Sequence, residues 1–292
     1  MDWTKAKTIL IIAFFITNLF LGASLLTDPS RQEAAAVNDV YLQQTLQFLE
    51  DQGVILETEM PRTIPSLAPI TVEYRFFPPG PTADLMLGDD WVMVSANTFQ
   101  NNQGRLTILN EQQLIYQSFE VGTVLPNMNE ATLKEASQRF LEEHDLFPEG
   151  LNLTQIYVGT VPSYHDEPLH KLVYEQSYQG RFIGESYVHV YLNQGGIVAV
   201  EALLLQDPGD IQQSGTLRTM IDAPEALLRK LDEILQDHQE NDPVIVNRIE
   251  PGHYFALIRD PLGQWESVES GTAVPAWKIV LKNGKTYYQE AF

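Results

Sequence analysis

AVPAWKIVLKNGKTYYQEAF, residues Ala273 to Phe292, carries the strongest hairpin signal in the chain. Two runs rich in apolar and aromatic residues flank Lys282-Asn283-Gly284-Lys285. Asn-Gly suits the positive φ angles of a type I′ turn, so Ala273 to Leu281 and Lys285 to Ala291 are predicted to pair antiparallel. Trp277, Tyr287 and Tyr288 give that hairpin a core. Two strands are predicted ahead of it, Val244 to Ile249 and Tyr254 to Arg259. Further upstream, Asp222 and Glu225 make a capping box with Pro224 in the first turn, starting a helix that runs to about Gln236. Leu227, Leu228, Leu231, Ile234 and Leu235 are its apolar face. Residues 211–292 therefore read as one helix followed by a meander.

The same plan recurs upstream. In residues 126–210, Asn129 caps a helix from Glu130 to about His144 that buries Leu133, Ala136, Phe140 and Leu141. Strands follow at Leu153 to Val161, Leu169 to Tyr178, Phe182 to Leu192 and Ile197 to Leu205, with turns at Gln179-Gly180 and Asn193 to Gly196. Residues 37–125 form a first lobe. Its helix runs from Val37 to Gln52 with Leu42, Leu46 and Leu49 on one stripe, and Gly53 ends it. Thr71 to Phe77 reads as a strand, closed by the Pro78-Pro79-Gly80-Pro81 break. Trp91 to Ala96, Arg105 to Leu109 and Gln113 to Phe119 are three more strands. The soluble part is thus predicted to be α+β, built of repeated helix-on-antiparallel-sheet modules. Pro275, Trp277, the Asn-Gly turn and Tyr287-Tyr288 make the closing stretch resemble the final hairpin of the PepSY superfamily of small helix-on-sheet modules.

The amino terminus is of another kind. From Thr8 to Leu26 (TILIIAFFITNLFLGASLL) no residue is charged. As a helix at ~1.5 Å per residue this run spans about 28 Å, close to the thickness of a bilayer core. A helix satisfies its own backbone groups in lipid, so residues 8–26 read as a transmembrane helix. Lys5 and Lys7 precede it, and Asp28, Arg31 and Glu33 follow it. The positive-inside bias then makes residues 1–7 cytoplasmic, residues 27–36 a juxtamembrane linker and everything beyond extracellular, in a single-pass protein of the cell membrane. A cleaved signal peptide is the rival, with Gly22-Ala23-Ser24 as its cleavage region; the apolar run exceeds the roughly 7–15 residues of a signal core. Asn18 lies mid-span with an amide that lipid cannot satisfy, one turn from the small Gly22. Thr17, Asn18, Phe20 and Gly22 are therefore the candidate contacts to a partner helix.

Met1-Asp2-Trp3, the basic pair Lys5 and Lys7, and an aromatic-rich span carrying Asn18 resemble the start of the YycI family of Gram-positive bacteria. That resemblance implies a membrane-anchored, non-catalytic regulator of the essential YycG (WalK) sensor histidine kinase, which controls cell-wall metabolism. It also implies a YycH-like companion and action through transmembrane contacts.

Composition narrows the field further. With 39 acidic and 18 basic residues the net charge is −21, a surface that repels nucleic acid. There is no cysteine, so thiolate metal sites, thiol nucleophiles and disulfides are excluded. His165-Asp166-Glu167-Pro168-Leu169-His170 lacks metal-ligand spacing and reads as a solvated loop. His189 is a strand-face residue and His253 lies in a turn. No GxSxG, phosphate-cradling or dinucleotide motif occurs, so no catalytic residue, metal or cofactor is nominated. Two alternatives stay open: a PepSY-like inhibitor or chaperone of an exported peptidase, and an anchored cell-wall hydrolase.

Overall fold

The computed structural model describes residues 35–120, 122, 124–206, 211–237, 243–255 and 270–292. The expected cytoplasmic residues 1–7, the span 8–26 and its candidate contacts Thr17, Asn18, Phe20 and Gly22 lie outside the described residues, as does most of the strand expected over 254–259. Val37–Phe292 packs as one body by itself. It is mixed α+β and sheet-dominated, with four helices among the described residues. No described helix is long and apolar enough to cross a membrane.

Three helices begin where a side chain can cap them. Asn38 accepts hydrogen bonds from the amides of Val40 and Tyr41 and starts α1, Asp39–Asp51. Asn129 accepts from Thr132 N and starts α3, Glu130–Glu143. Asp222 accepts from Glu225 N at 2.8 Å and starts α4, Ala223–Gln236, while the Glu225 carboxylate turns to Arg229, so only half of the capping box forms. The remaining helix corrects the sequence reading. Pro79–Leu87 is α2, although Pro78-Pro79-Gly80-Pro81 reads as a break. Proline needs no amide partner in the first turn of a helix, and all the helical prolines here sit in that turn.

The strands are β1 (Val54–Leu56), β2 (Ile70–Glu73), β3 (Val92–Ser95), β4 (Thr98–Gln100), β5 (Gly104–Leu109) and β6 (Gln113–Ser118). They continue as β7 (Leu151–Val161), β8 (His165–Tyr178), β9 (Arg181–Asn193), β10 (Gly196–Leu203), β11 (Val244–Tyr254), β12 (Ser270–Leu281) and β13 (Thr286–Glu290). Together with Gln212–Gln213 they belong to one sheet, whose main path runs β2-β12-β11-β9-β10-β6-β5-β4-β3. β7 to β10 form an antiparallel meander, and β11 to β13 form another. Two junctions are parallel, against the all-antiparallel expectation: β1 lies beside Val244 to Val246, and Phe182 to Gly184 of β9 lie beside Gly252 to Tyr254 of β11. These strands are joined by long stretches of chain, so no hairpin dictates their direction.

Residues 37–125 do not pack as a lobe on their own. Leu42 and Leu49 of α1 enter a core with α4, β11, β12 and Trp277. β5 and β6 instead continue the sheet of β8 to β10 beneath α2 and α3, around Leu106, Leu114, Val188, Val190 and Val200. The closing hairpin forms as read, but with another turn. Only Gly284 has positive φ in Lys282–Lys285, so the turn is not type I′. Gln179 and Gly180 both have positive φ between the paired residues Tyr178 and Arg181, and there the type I′ pattern occurs.

Two more local readings change. His165 to His170 belong to β8 rather than to a loop. Pro168 is tolerated because at that point β8 pairs only with β7; its pairing with β9 begins at His170. His253 is a buried residue of β11, not a turn residue, and its Nε2 donates to the Ala68 carbonyl at 3.0 Å.

Candidate functional site

Along β9, Val188, Val190 and Leu192 face the core under α3, so Tyr187, His189 and Tyr191 occupy the opposite face. The register of β9 against β10 sets His189 directly opposite Glu201. Lys171 of β8 pairs with Tyr191, and its ammonium lies 5.6 Å from the Tyr191 ring centre. Tyr187 stacks on the His189 ring at 4.3 Å between centroids. The turn between β7 and β8 supplies Tyr164, which reaches back over this face.

Glu201 is the hub. Its carboxylate accepts from Tyr164 Oη at 2.6 Å, from Tyr191 Oη at 3.1 Å and from His189 Nδ1 at 3.1 Å. Burial pushes the carboxyl up, but the hydrogen bonds from His189, Tyr164 and Tyr191 outweigh it and hold Glu201 down at about 2. Burial pushes the Tyr164 and Tyr191 phenols up, and the Glu201 charge pushes them further. Burial pushes His189 down, so its imidazole is neutral at pH 7. An acid–base catalyst works best with a pKa near the working pH. Here the carboxylate and the phenols lie far from it on opposite sides, and the cluster presents a fixed pattern of donors and acceptors.

Beside it, a cleft of about 400 Å³ lies among Phe119, Glu120, Tyr164, Glu167 and Asn193 to Gly195. No described set of three His, Cys, Asp or Glu side chains is placed to hold a metal ion.

A second polar cluster joins β8 to β11 and β12. Lys278 Nζ lies 2.7 Å from Glu175 and 2.6 Å from Glu250, with Arg248 3.7 Å from each carboxylate. Gln176, the neighbour of Glu175, ties β8 to β9 and to the chain just beyond β10: its Oε1 accepts from Ser186 Oγ and from Leu205 N. None of the residues of either cluster was nominated from the sequence as a site. The alternation Tyr187, His189, Tyr191 is visible in the chain as a polar, aromatic strand face; its partner Glu201 is not.

A family model described as YycI protein matches residues 32–292. The chain belongs to the YycI family. Among curated proteins no match is found. Similar solved structures include the following two. Bacillus subtilis YycH shares 12% identity over 86% of this YycI chain, with a TM-score of 0.49, and the chain spans 61% of the YycH structure's length. The Bacillus megaterium YpeB C-terminal domain shares 10% identity, with 87% of this chain and 99% of that one covered at a TM-score of 0.32. The Glu201 hub and the Lys278 joint both fall within the stretch matched by the YycI family model.

Proposed function

We propose that this YycI-family chain is a non-catalytic regulator of the YycG sensor kinase, anchored in the cell membrane by residues 8–26 and acting with a YycH-like protein. Its family membership over residues 32–292 carries the reading. The candidate site supports it, because the groups around Glu201 have their protonation fixed at neutral pH and suit binding better than proton transfer. In this reading residues 1–7 are cytoplasmic and the body from Val37 onward is extracellular. Thr17, Asn18, Phe20 and Gly22 touch the membrane helices of the kinase or of the companion. A regulator of this kind acts only through different contact energies with the two signalling states of the kinase.

The test is a photoreactive residue at Asn18 in the native host, with the captured species identified. Capture of the two-helix kinase or of a YycH-like protein, weakened by Gly22→Leu, is expected. Capture of lipid alone, with normal kinase output after exchange of the span for an unrelated one, would overturn it.

A further inference from the structure

β3 ends the main path of the sheet. It pairs with β4 on one side, and among the described residues no strand or backbone hydrogen bond reaches its other side. All four of its residues are exposed, and three in succession are aliphatic: Val92 is 63% exposed, Met93 61% and Val94 59%. Sheet edges in monomeric proteins are normally blunted by lysine, proline, inward charge, a bulge or sheer shortness. β3 carries no lysine, proline or inward charge; it is four residues long, and a register shift between Met93 and Ser95 leaves Val94 unpaired, so what it offers is a short edge on which Val92, Met93 and Val94 all stay exposed. β7 is also open on its outer side, but there Val158 is followed by Gly159 and Thr160, an ordinary solvent edge.

The edge itself says what covers it. A row of unpaired backbone N–H and C=O groups is satisfied in register only by another extended strand, and flanking aliphatic side chains select apolar residues on that strand. Charge decides whose strand it is. Asp89 and Asp90 stand directly before β3, exposed and without an ion pair among the described residues. A second copy would bring the same two acids and another net charge of −21 to the contact.

We propose that β3 is a docking edge for an extended, apolar segment of another protein that carries Lys or Arg beside the paired residues. Given the function proposed above, on which this step rests, that protein is the YycH-like companion. The paired strands extend the sheet across the two molecules.

The experiment uses the full-length chain in nanodiscs and the purified extracellular part of the host's YycH-like protein as the probe, with binding measured at low and high salt. Met93→Lys and Val94→Pro are expected to weaken binding at least tenfold. Asp89→Asn combined with Asp90→Asn is expected to weaken it and flatten its salt dependence. Val158→Lys, equally exposed on another open edge, is expected to leave it unchanged, and unaltered melting temperatures verify that each variant is folded. Wild-type affinity in both edge variants would overturn the docking edge while leaving the companion in place. A wild-type chain that does not bind the probe would overturn the companion reading and this inference with it. Self-association in sedimentation that is lost in Met93→Lys would assign the edge to a second copy and likewise overturn the proposal.

Discussion

Lys278 on β12 and Glu175 on β8 meet at 2.7 Å, and the lysine side chain is almost wholly withdrawn from solvent. The lysine is held by a second carboxylate, Glu250, and its ammonium lies 4.6 Å from the Phe182 ring centre. With Arg248 the cluster holds two positive and two negative charges. Such a cluster adds little net stability over an apolar filling, yet breaking it is costly because two half-buried carboxylates are left with only Arg248, 3.7 Å from each. Lys278→Met is therefore expected to destabilise the protein by about 1–3 kcal/mol. Urea unfolding measures this; a loss under about 1 kcal/mol would mean that water relieves the carboxylates.

Two glycines are expected to respond to alanine with opposite signs. Gly252 lies where β11 runs parallel to β9, and a Cβ there would stand 2.5 Å from the Phe182 carbonyl oxygen and 2.4 Å from its ring. Neither backbone can move without opening the junction, so Gly252→Ala should cost about 1–3 kcal/mol. Gly159 lies in β7 on its open edge, where an added methyl would meet nothing within 4 Å and φ is not positive. Gly159→Ala should stabilise by up to about 1 kcal/mol, through the strand and the unfolded chain. Thermal melts of the two variants in one buffer check both signs.

What the chain made legible was local. Asn129 and Asp222 announce their helices because a cap bonds to amides two or three residues away, whereas Asn38, the cap of α1, reads as part of its helix. Turn residues and alternation likewise placed the β7 to β10 meander and the β12–β13 hairpin. α2 was hidden because Pro78 to Pro81 is chemically both a break and a permitted first turn, and only burial of Ala83, Met86 and Leu87 decides between them. The parallel junctions at β1 and β9, and the destination of α1, depend on contacts between distant parts of the chain, which periodicity does not encode. The candidate site divides the same way. Tyr187, His189 and Tyr191 share a face by alternation alone, but their bond to Glu201 depends on the register of β9 and β10. The open edge at β3 was read as a strand, yet its terminal place in the sheet was not visible.

Acid should unfold the protein in two stages. His189 and His253 are both pushed down by burial, so below about pH 6.5 the unfolded chain binds protons that the folded one refuses. Their contribution is present above that pH and is lost as pH falls through it. His253 meets the added proton with an Nδ1 that has no hydrogen-bond partner and with Arg181 as a repelling charge. His189 meets it between Lys171, which opposes the charge, and Glu201, which favours it. The second stage belongs to Glu201. Its folded value of about 2 against an ordinary 4.5 stabilises the folded state by about 3 kcal/mol above pH 4.5, and that contribution vanishes as pH falls toward 2. Urea titrations from pH 8 to pH 3 should show stability declining from about pH 6.5 and steepening below 4.5. Glu201→Gln should flatten the lower stage and, by removing the charge that favours protonated His189, deepen the upper one, while His253→Gln should reduce the upper one. A Glu201→Gln profile parallel to wild type below pH 4.5 would mean that the hydrogen bonds from Tyr164, Tyr191 and His189 do not hold this carboxylate ionised.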